Sequence, residues 1–338
     1  MERTRFVMIR TTIVVLVLIA SLATLVRADN EAFSFAVTAD SRGHNPEVPV
    51  NVPILTRVFT DMNTFAPKFC LFPGDLVFGG VVDNQVFMRQ LRIWIDTASN
   101  YRGPVYPTPG NHEMKHWPGR DDAWNQLFPS LPSNGPGKGP RAGNYFFDYH
   151  GSRFISVLSD DEDGHIGIDQ KWLDQILDDS SGFRHIFVMS HHPMEQLGGA
   201  EGEFWQSLHR HHVDAYFCGH WHLYNRSQPE GSGTWQIILG TAGAPPSFYL
   251  PRWMLNGTTM YGKYGFGIIK VNDSSVEVTF YSDIEGPEKR TQPLDHFIIS
   301  NSEEHHNSYS ELKDRIVMWL TSPPTDNRPP TAERTQSH

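Results

Sequence analysis

The stretch FCGHWHLYNR, residues 217–226, places two histidines one residue apart directly after a glycine. An apolar run at residues 215–218 leads into it. A buried strand that presents His-Xaa-His at its end is typical of a metal site, whereas two histidines on a surface loop are the simpler interpretation. The other strand-like runs of the chain discriminate between these interpretations.

Four further polar motifs come directly after strand-like runs. They are Asp40-Ser41-Arg42 after residues 33–39, Gly74-Asp75 after residues 69–72, Gly110-Asn111-His112-Glu113 after residues 105–109, and His191-His192-Pro193 after residues 186–190. Ligands in open α/β sheets bind outside the carboxyl ends of the strands. We therefore expect these strand ends and the two histidines of the opening stretch to converge.

The side chains expected to converge have a definite chemistry. They are two carboxylates, one amide and three imidazoles, namely Asp40, Asp75, Asn111, His191, His220 and His222. Such groups suit borderline divalent metals and iron, and they fit neither a thiolate-rich zinc site nor an all-oxygen calcium site. The set is too large for one tetrahedral ion. It suits two ions about 4 Å apart that share a carboxylate, an arrangement used for in-line displacement at phosphorus.

Composition and charge narrow the range of partners. The chain has 338 residues, 39% hydrophobic and 20% charged, which is ordinary for a globular protein. Its formal net charge of -10 argues against nucleic acid or an anionic membrane as the main partner. A bound metal reverses the local field, so a small anionic substrate remains compatible with this charge.

The first 28 residues have the features of a secretory signal. Three arginines precede an uncharged run at residues 11–26, and Val26-Arg27-Ala28 offers small residues at the positions that a signal peptidase reads. The sequence therefore predicts cleavage after Ala28 and a secreted or periplasmic protein without stable membrane association. The alternative is a membrane anchor formed by residues 11–26, although a spanning helix needs about 20 residues.

Periodicity predicts one folded domain at residues 29–300, followed by a short helix and a polar, proline-rich tail at residues 301–338. Strands and helices alternate early, which predicts βαβ units, and the strands crowded near residue 281 predict a second, more antiparallel sheet.

Cys70 and Cys218 each end an apolar run. An exported protein could pair them, but buried free thiols are the favoured interpretation.

In order and context, the five motifs resemble the calcineurin-like metallophosphoesterase family, including its purple acid phosphatase branch. The family pattern runs Asp-Xaa-His, Gly-Asp, Gly-Asn-His-Asp/Glu, a lone His and Gly-His-Xaa-His, and four of these five blocks match in order. The segments NYFFDYHGSRFISVLSDD, QKWLDQIL and HHVDAYFCGHWHLYNR are also similar to the family's middle region. The resemblance covers residues 33–281. It implies an α/β (α+β) fold, a two-sheet β-sandwich flanked by helices with its metal site at the carboxyl ends of strands.

The resemblance also implies roles for the motif residues. Asp75 would bridge two metals, while one site is completed by Asn111, His191 and His220, and the other is served by Asp40 and His222. The family's His-Xaa-Pro pattern selects His191 as the ligand in preference to its neighbour His192. The cofactors implied are two divalent or trivalent ions such as Fe, Mn or Zn, which would activate a hydroxide. His112 would touch the phosphoryl group or the leaving oxygen, and Glu113 would support that loop.

Two positions depart from the family pattern. Arg42 stands where the family commonly has a metal-binding His, and Phe78 stands where the purple branch has a Tyr. Neither side chain can ligate a metal, so the site of Asp40 and His222 is one ligand short. Three interpretations follow from the missing ligand. In the first, water or His44 fills the gap, and in the second, the site binds its metal ion more weakly. In the third, the guanidinium of Arg42 replaces part of the metal's function by binding phosphate directly. The alternative is that Arg42 has a purely structural role and forms an ion pair with an acidic residue that is not itself a metal ligand.

The function predicted is that of a secreted, metal-dependent phosphoesterase acting on a small phosphate ester, with no nucleic-acid partner. The alternative is a catalytically degenerate member of the fold that binds a phosphorylated ligand without turnover. Arg42 and Phe78 favour the alternative, whereas the complete Asn-His-Glu and Gly-His-Xaa-His motifs favour the enzyme.

Overall fold

The computed structural model describes residues 31–114, 119–136, 143–160, 165–229, 231–247, 257–282 and 291–300. The predicted signal or anchor at residues 1–28 and the predicted helix and tail at residues 301–338 lie outside these ranges. Within the described ranges, no helix has the length and apolar content needed to cross a bilayer.

The elements follow one another in a mixed order of strands and helices. The strands are β1 (Phe33–Val37), β2 (Arg42–Asn45), β3 (Val48–Val50), β4 (Cys70–Pro73), β5 (Val105–Thr108), β6 (Tyr145–Tyr149), β7 (Ser152–Ser156), β8 (His185–Met189), β9 (Ala215–Cys218), β10 (Tyr224–Ser227), β11 (Trp235–Leu239), β12 (Thr258–Met260), β13 (Phe266–Val271), β14 (Ser275–Ser282) and β15 (Gln292–Ser300). The helices are α1 (Val52–Met62), α2 (Asn84–Ala98), α3 (Asn111–Met114), α4 (Arg120–Leu127), α5 (Gln170–Asp178) and α6 (Glu203–Arg210).

Two sheets form the centre of the fold. A six-stranded sheet has the order β15-β14-β13-β1-β4-β5, and a seven-stranded sheet has the order β12-β10-β11-β9-β8-β7-β6. Strands β1, β4 and β5 are parallel, as are β7, β8, β9 and β11. A separate hairpin, β2–β3, follows β1.

The expectation that the late strands form a sheet of their own is wrong. Strand β13 pairs antiparallel with β1, and β14 and β15 extend the same sheet beyond it. The physical reason lies in β1. Its edge away from β4 has backbone groups that need partners, and β13 supplies them. The register sets Phe35 opposite Ile269, so two apolar faces coincide.

Alternation along β1 places its side chains in two different cores. Phe35 and Val37 lie between the sheets, whereas Ala36 faces the helices. The inter-sheet core is aromatic: the ring centroid of Phe35 lies 5.4 Å from that of Phe69 and 5.1 Å from that of Phe154. This aromatic packing joins the two sheets, and their carboxyl edges meet beside it.

Helices cover the outer face of each sheet. Residues of α1 and α2 pack on the first sheet, and residues of α5 and α6 pack on the second. Cys70 belongs to the first outer core and Cys218 to the second, so the sandwich separates the two thiols. Both are buried and unpaired, which confirms the favoured interpretation of the cysteines.

Candidate metal centre

All six predicted ligands follow the carboxyl ends of strands. Asp40 follows β1, Asp75 follows β4, and the segment beginning at Asn111 follows β5, all in the first sheet. His191 follows β8, and the His-Xaa-His pair follows β9, in the second sheet. The candidate centre therefore lies where the carboxyl edges of the two sheets meet, as the strand-end argument predicts.

Three of the side chains form a tight triangle. Asn111 Oδ1 lies 3.0 Å from His191 Nε2 and 3.0 Å from His220 Nδ1, and the two ring nitrogens are 3.3 Å apart. Asp75 Oδ1 lies 3.2 Å from His191 Nε2. One amide oxygen, two imidazole nitrogens and one carboxylate oxygen thus face a common point.

A second group shares Asp75 with the first. Ligand atoms of Asp40, Asp75 and His222 all lie within 4.8 Å of one another, and His222 Nε2 is 3.5 Å from Asp40 Oδ1. Because Asp75 takes part in both groups, its carboxylate has the position that a bridging ligand requires.

Backbone carbonyls select the ring nitrogens that face the centre. His191 Nδ1–H donates to the Pro73 carbonyl at 3.0 Å, and His222 Nδ1–H donates to the Pro245 carbonyl at 2.7 Å. Each Nε2 therefore carries a lone pair toward the centre. In the first group, that lone pair of His191 faces the oxygen lone pairs of Asn111 and Asp75. Such a convergence of acceptors is unfavourable without a cation, so the donor set fits a metal ion.

The electrostatics favour the ligating forms of the histidines. Burial, followed by the nearby His191, lowers the pKa of His220 to about 2. Burial and the adjacent Arg42 lower the pKa of His222 to about 4. Burial also lowers the pKa of His191. All three rings are therefore neutral at pH 7 and available as ligands.

The two carboxylates respond to their surroundings in opposite ways. Burial and repulsion from Asp75 raise the pKa of Asp40 well above its usual range. Burial alone would also raise the pKa of Asp75, but the nearby imidazoles, His191 and His112 foremost, lower it below the usual range. Asp75 thus has the larger share of the negative charge, and Asp40 lacks cationic neighbours sufficient to balance its burial.

The backbone at the centre is unusually constrained. Asp40, Asp75 and His220 have φ angles of 62°, 52° and 68°, in the left-handed region that few non-glycine residues adopt. The glycines of two motifs are required by close approach. A Cβ on Gly219 would lie 2.2 Å from Asp40 Oδ2, and one on Gly110 would lie 2.4 Å from Asp75 Oδ1.

A model of calcineurin-like phosphoesterases matches residues 33–224, which is more than half of the chain. The chain belongs to the calcineurin-like phosphoesterase family. Two uncharacterized proteins of Mycobacterium tuberculosis, from strains CDC 1551 and H37Rv, are each 26% identical to it. These matches cover 53% of this chain and 38% of each relative, so the chain matches less than half of their length.

Solved structures share the fold at low sequence identity. The purple acid phosphatase PPD1 of yellow lupin has a TM-score of 0.58 and 16% identity, covering 82% of this chain and 55% of its own. PhoD has a TM-score of 0.57 and 11% identity, covering 86% and 78%. GAP50, the anchor in the inner membrane complex of Plasmodium, has a TM-score of 0.56 and 13% identity, covering 82% and 95%. At these identities the likeness concerns the fold.

In this calcineurin-like phosphoesterase, His112 lies beside the ligand groups. Its Nδ1 contacts the Phe78 carbonyl, and its Nε2 faces Asp75 Oδ2 at 3.8 Å. The side chain remains 24% exposed, so it can reach a bound molecule. Glu113 is buried and accepts hydrogen bonds from the backbone N–H groups of Val77 and Gly110, where it braces the loop.

The position that the purple branch fills with Tyr holds no alternative ligand. Phe78 packs its ring 5.7 Å from that of His112. His44 is exposed on β2 and does not belong to the ligand group of Asp40 and His222. Across the described residues, that group has no fourth His, Cys, Asp or Glu. In this arrangement His44 lies outside the ligand group, and its role in filling the gap stays a prediction.

Arg42 contacts the shared carboxylate and not an outer acid. Its Nε lies 3.6 Å from Asp75 Oδ2, while Nη1 donates to the Gly43 carbonyl at 3.3 Å. Nε is buried and makes no hydrogen bond. The interpretation of Arg42 as a partner of a more distant acid is corrected accordingly: its cation lies at the edge of the centre.

The sequence argument left the role of His192 open. This buried side chain contacts Asp160 Oδ1 through Nε2 at 2.8 Å and Gln196 Oε1 through Nδ1. Gln196 in turn lies 3.2 Å from Nε2 of His220, so a polar chain runs from a carboxylate to a candidate ligand. The adjacent histidines at 191–192 and the segment that ends in Asp160-Asp161 were the sequence signals for it, whereas Gln196 lies in neither.

Proposed function

We propose that this chain is a secreted phosphoesterase that hydrolyses small phosphate esters at a two-metal site. The observation that carries the proposal is the pair of ligand groups that share Asp75, with unprotonated nitrogen and oxygen atoms facing inward. Membership of the calcineurin-like phosphoesterase family supports the reaction class. The proposed substrate class, small phosphate esters, rests on the chemistry of these ligand groups.

In this proposal the protein residues hold two ions of unequal affinity. One ion would be held by Asp75, Asn111, His191 and His220, and the other by Asp40, Asp75 and His222. When bound, the ions would supply an activated water nucleophile and would neutralise the charge that builds up on the phosphoryl oxygens. Iron, manganese and zinc suit this mixture of oxygen and nitrogen ligands.

The remaining residues handle the phosphoryl group and the leaving alcohol. Water oxygen would bond to phosphorus and release one proton to solvent as the P–O bond to the alcohol breaks, and the alcohol oxygen would take a proton. In its imidazolium form, His112 can donate that proton from Nε2 while its Nδ1–H stays on the Phe78 carbonyl. Arg42 can bind a phosphoryl oxygen through its guanidinium, which lies beside the shared carboxylate of Asp75, so that it both positions the substrate and offsets charge.

One observation favours a second candidate function, a binding module without turnover. Arg42 lies against Asp75 where the family commonly has a ligand, and its cation competes with a second metal ion. A chain with only one ion could hold a phosphorylated ligand between that ion and the guanidinium. The two candidates differ in turnover and in metal stoichiometry.

The test combines metal analysis with two chromogenic esters, p-nitrophenyl phosphate and bis-p-nitrophenyl phosphate. The full-length exported protein is assayed with Mn, Fe, Zn and no metal, and compared with His112→Ala. We expect metal-dependent turnover that falls about 10²–10⁴-fold in His112→Ala. The matched control, His209→Ala on α6, should retain wild-type turnover. Bound phosphate without turnover under every condition would establish the binding module.

Secretion has its own test. The mature amino terminus is determined by mass spectrometry after expression with the first 28 residues intact. A mature chain that begins at Asp29 in the exported fraction is expected. A full-length chain retained in the membrane fraction would support the anchor at residues 11–26.

A further inference from the structure

A cleft of about 470 Å³ lies beside the candidate centre. One wall is the β2–β3 hairpin, and the other includes the loop at residues 243–246 that follows β11. The side chains that characterise its lining are Arg42, His44, Val48, Val50, Pro245 and Tyr264. Its volume falls in the range of sites that hold small organic molecules, about 300–1,000 Å³.

The cleft is joined to the centre through two of its lining residues. Pro245 accepts the hydrogen bond from His222 Nδ1 at 2.7 Å, so the residue that lines the cleft also orients a candidate ligand. Arg42 lines the cleft and lies 3.6 Å from the shared carboxylate of Asp75. A molecule in the cleft would therefore have one end at the candidate metal centre.

The two walls are held together by hydrogen bonds. Asn51 donates from Nδ2 to the Gly243 carbonyl at 2.7 Å and from its backbone N–H to the Ser41 carbonyl at 2.9 Å. Ala244 donates its N–H to the Asp40 carbonyl at 2.7 Å. These bonds tie the loop at residues 243–246 to the segment that carries Asp40. The cleft is preformed, which reduces the entropic cost of binding.

The lining has a polar end and an apolar body. Among the described residues that line the cleft, Arg42 and His44 are the basic side chains, and none is acidic. Two valines, three prolines and Tyr264 supply flat apolar surface. An anionic phosphoryl group suits the end with the guanidinium and the metal ligands, and an apolar or aromatic group suits the rest.

We infer that this cleft binds the leaving group of the substrate, and that the substrate is a phosphate ester of a small aromatic alcohol. This inference rests on the proposed function, because the phosphoryl end is placed at the proposed metal centre. The aromatic ring would lie between the hairpin and the prolines, with Tyr264 as its neighbour. Esters of short polar alcohols would leave the apolar surface uncovered and would bind more weakly.

Equilibrium binding tests the inference without requiring turnover. The metal-loaded, full-length protein is titrated calorimetrically with 2-naphthylphosphonate and with methylphosphonate, neither of which has a hydrolysable ester. Wild type should bind the naphthyl compound at least tenfold more tightly. Val48→Trp, which fills the cleft, and Tyr264→Ala, which removes a wall, should each reduce this preference at least fivefold while leaving methylphosphonate affinity unchanged. Ile298→Trp, on edge strand β15, is the control and should retain the wild-type preference.

The outcomes separate the inference from the proposed function. Equal affinity for the two phosphonates in wild type, or no binding of the naphthyl compound, overturns the cleft assignment. A preference that survives both cleft substitutions overturns it as well. If the preference is present and is lost in the variants while p-nitrophenyl phosphate is not hydrolysed with any metal, the cleft stands and the proposed catalytic function falls.

Discussion

At the scale of single residues, the candidate centre depends on which atom of each side chain faces inward. His191 and His222 present Nε2 because their Nδ1–H groups are held by the carbonyls of Pro73 and Pro245. Those carbonyls lie 118 and 23 residues away in sequence and belong to no motif. The sequence identified the ring residues, but the ring orientation follows from the packing of the two sheets.

The glycine before His220 gives a prediction at this scale. In Gly219→Ala the new Cβ would lie 2.2 Å from Asp40 Oδ2, so the carboxylate must move away from its group. We expect affinity for the second metal ion to fall about 10–100-fold, as measured by calorimetric titration. Gly233→Ala is the matched control, since its Cβ would meet no atom within 4 Å. Equal metal affinity in the two variants would contradict this account of the motif.

The two histidines of the Gly-His-Xaa-His motif should respond differently to metal concentration. His222 belongs to the group with fewer ligands, and His220 belongs to the fuller group with Asn111 and His191. In His222→Ala, turnover should fall at least tenfold at low Mn²⁺ and recover at saturating Mn²⁺. In His220→Ala, recovery should be smaller, because the fuller site is the one damaged. The measurement is kcat/KM as a function of metal concentration, and identical profiles would refute unequal sites.

At the scale of elements, the best-predicted strands were the buried ones. The apolar run predicted at residues 215–218 coincides with β9, whose four residues are all buried, because continuous apolar sequence marks a strand buried in a sandwich. Strand β15 was missed because its half-exposed sequence contains Pro293 and His296 and shows weak alternation. The β2–β3 hairpin was missed for a related reason: its short strands carry Gly43 and Pro49, which sequence patterns assign to turns.

Strand β8 begins with a buried histidine that supports a pH prediction. His185 contacts Asp214 Oδ1 through Nδ1 at 3.1 Å and the Asn272 carbonyl through Nε2 at 2.8 Å. Two acceptors require two N–H groups, so the imidazolium suits this position. Burial alone would lower the pKa of His185, but Asp214 and the two hydrogen bonds raise it.

A histidine with a raised folded-state pKa stabilises the protein fully below its unfolded pKa of about 6.5, and this stabilisation is lost as pH rises through the folded value. Wild type should therefore lose unfolding free energy relative to His185→Gln as the pH rises above about 6.5, measured by urea denaturation with chelator present. His209→Gln should follow the wild-type dependence. A His185→Gln profile parallel to that of wild type would rule out the imidazolium.

At the scale of the whole molecule, the sequence predicted where the site lies better than how the sheets are built. Motifs report strand ends, and strand ends gather wherever parallel strands share an edge. Sheet order is set by long-range pairing, such as that of β13 with β1, which no local pattern encodes. The helices on the outer faces were predicted because amphipathic periodicity is local.

The whole-molecule arrangement also explains why the centre needs both sheets. Asp40, Asp75 and Asn111 come from the first sheet, and the three histidines come from the second. Metal ions at this edge would link the sheets across the top of the aromatic core, so binding should stabilise the fold as well as supply chemistry.

The measurement that tests the central claim most directly is calorimetric titration of the metal-free, full-length protein with Mn²⁺, alongside the variant Asp75→Ala. The account predicts two binding events of unequal affinity in wild type and the loss of both in the variant, because Asp75 is shared by the two groups. A single event in wild type, or two events that persist in Asp75→Ala, would contradict a two-metal centre built on that carboxylate.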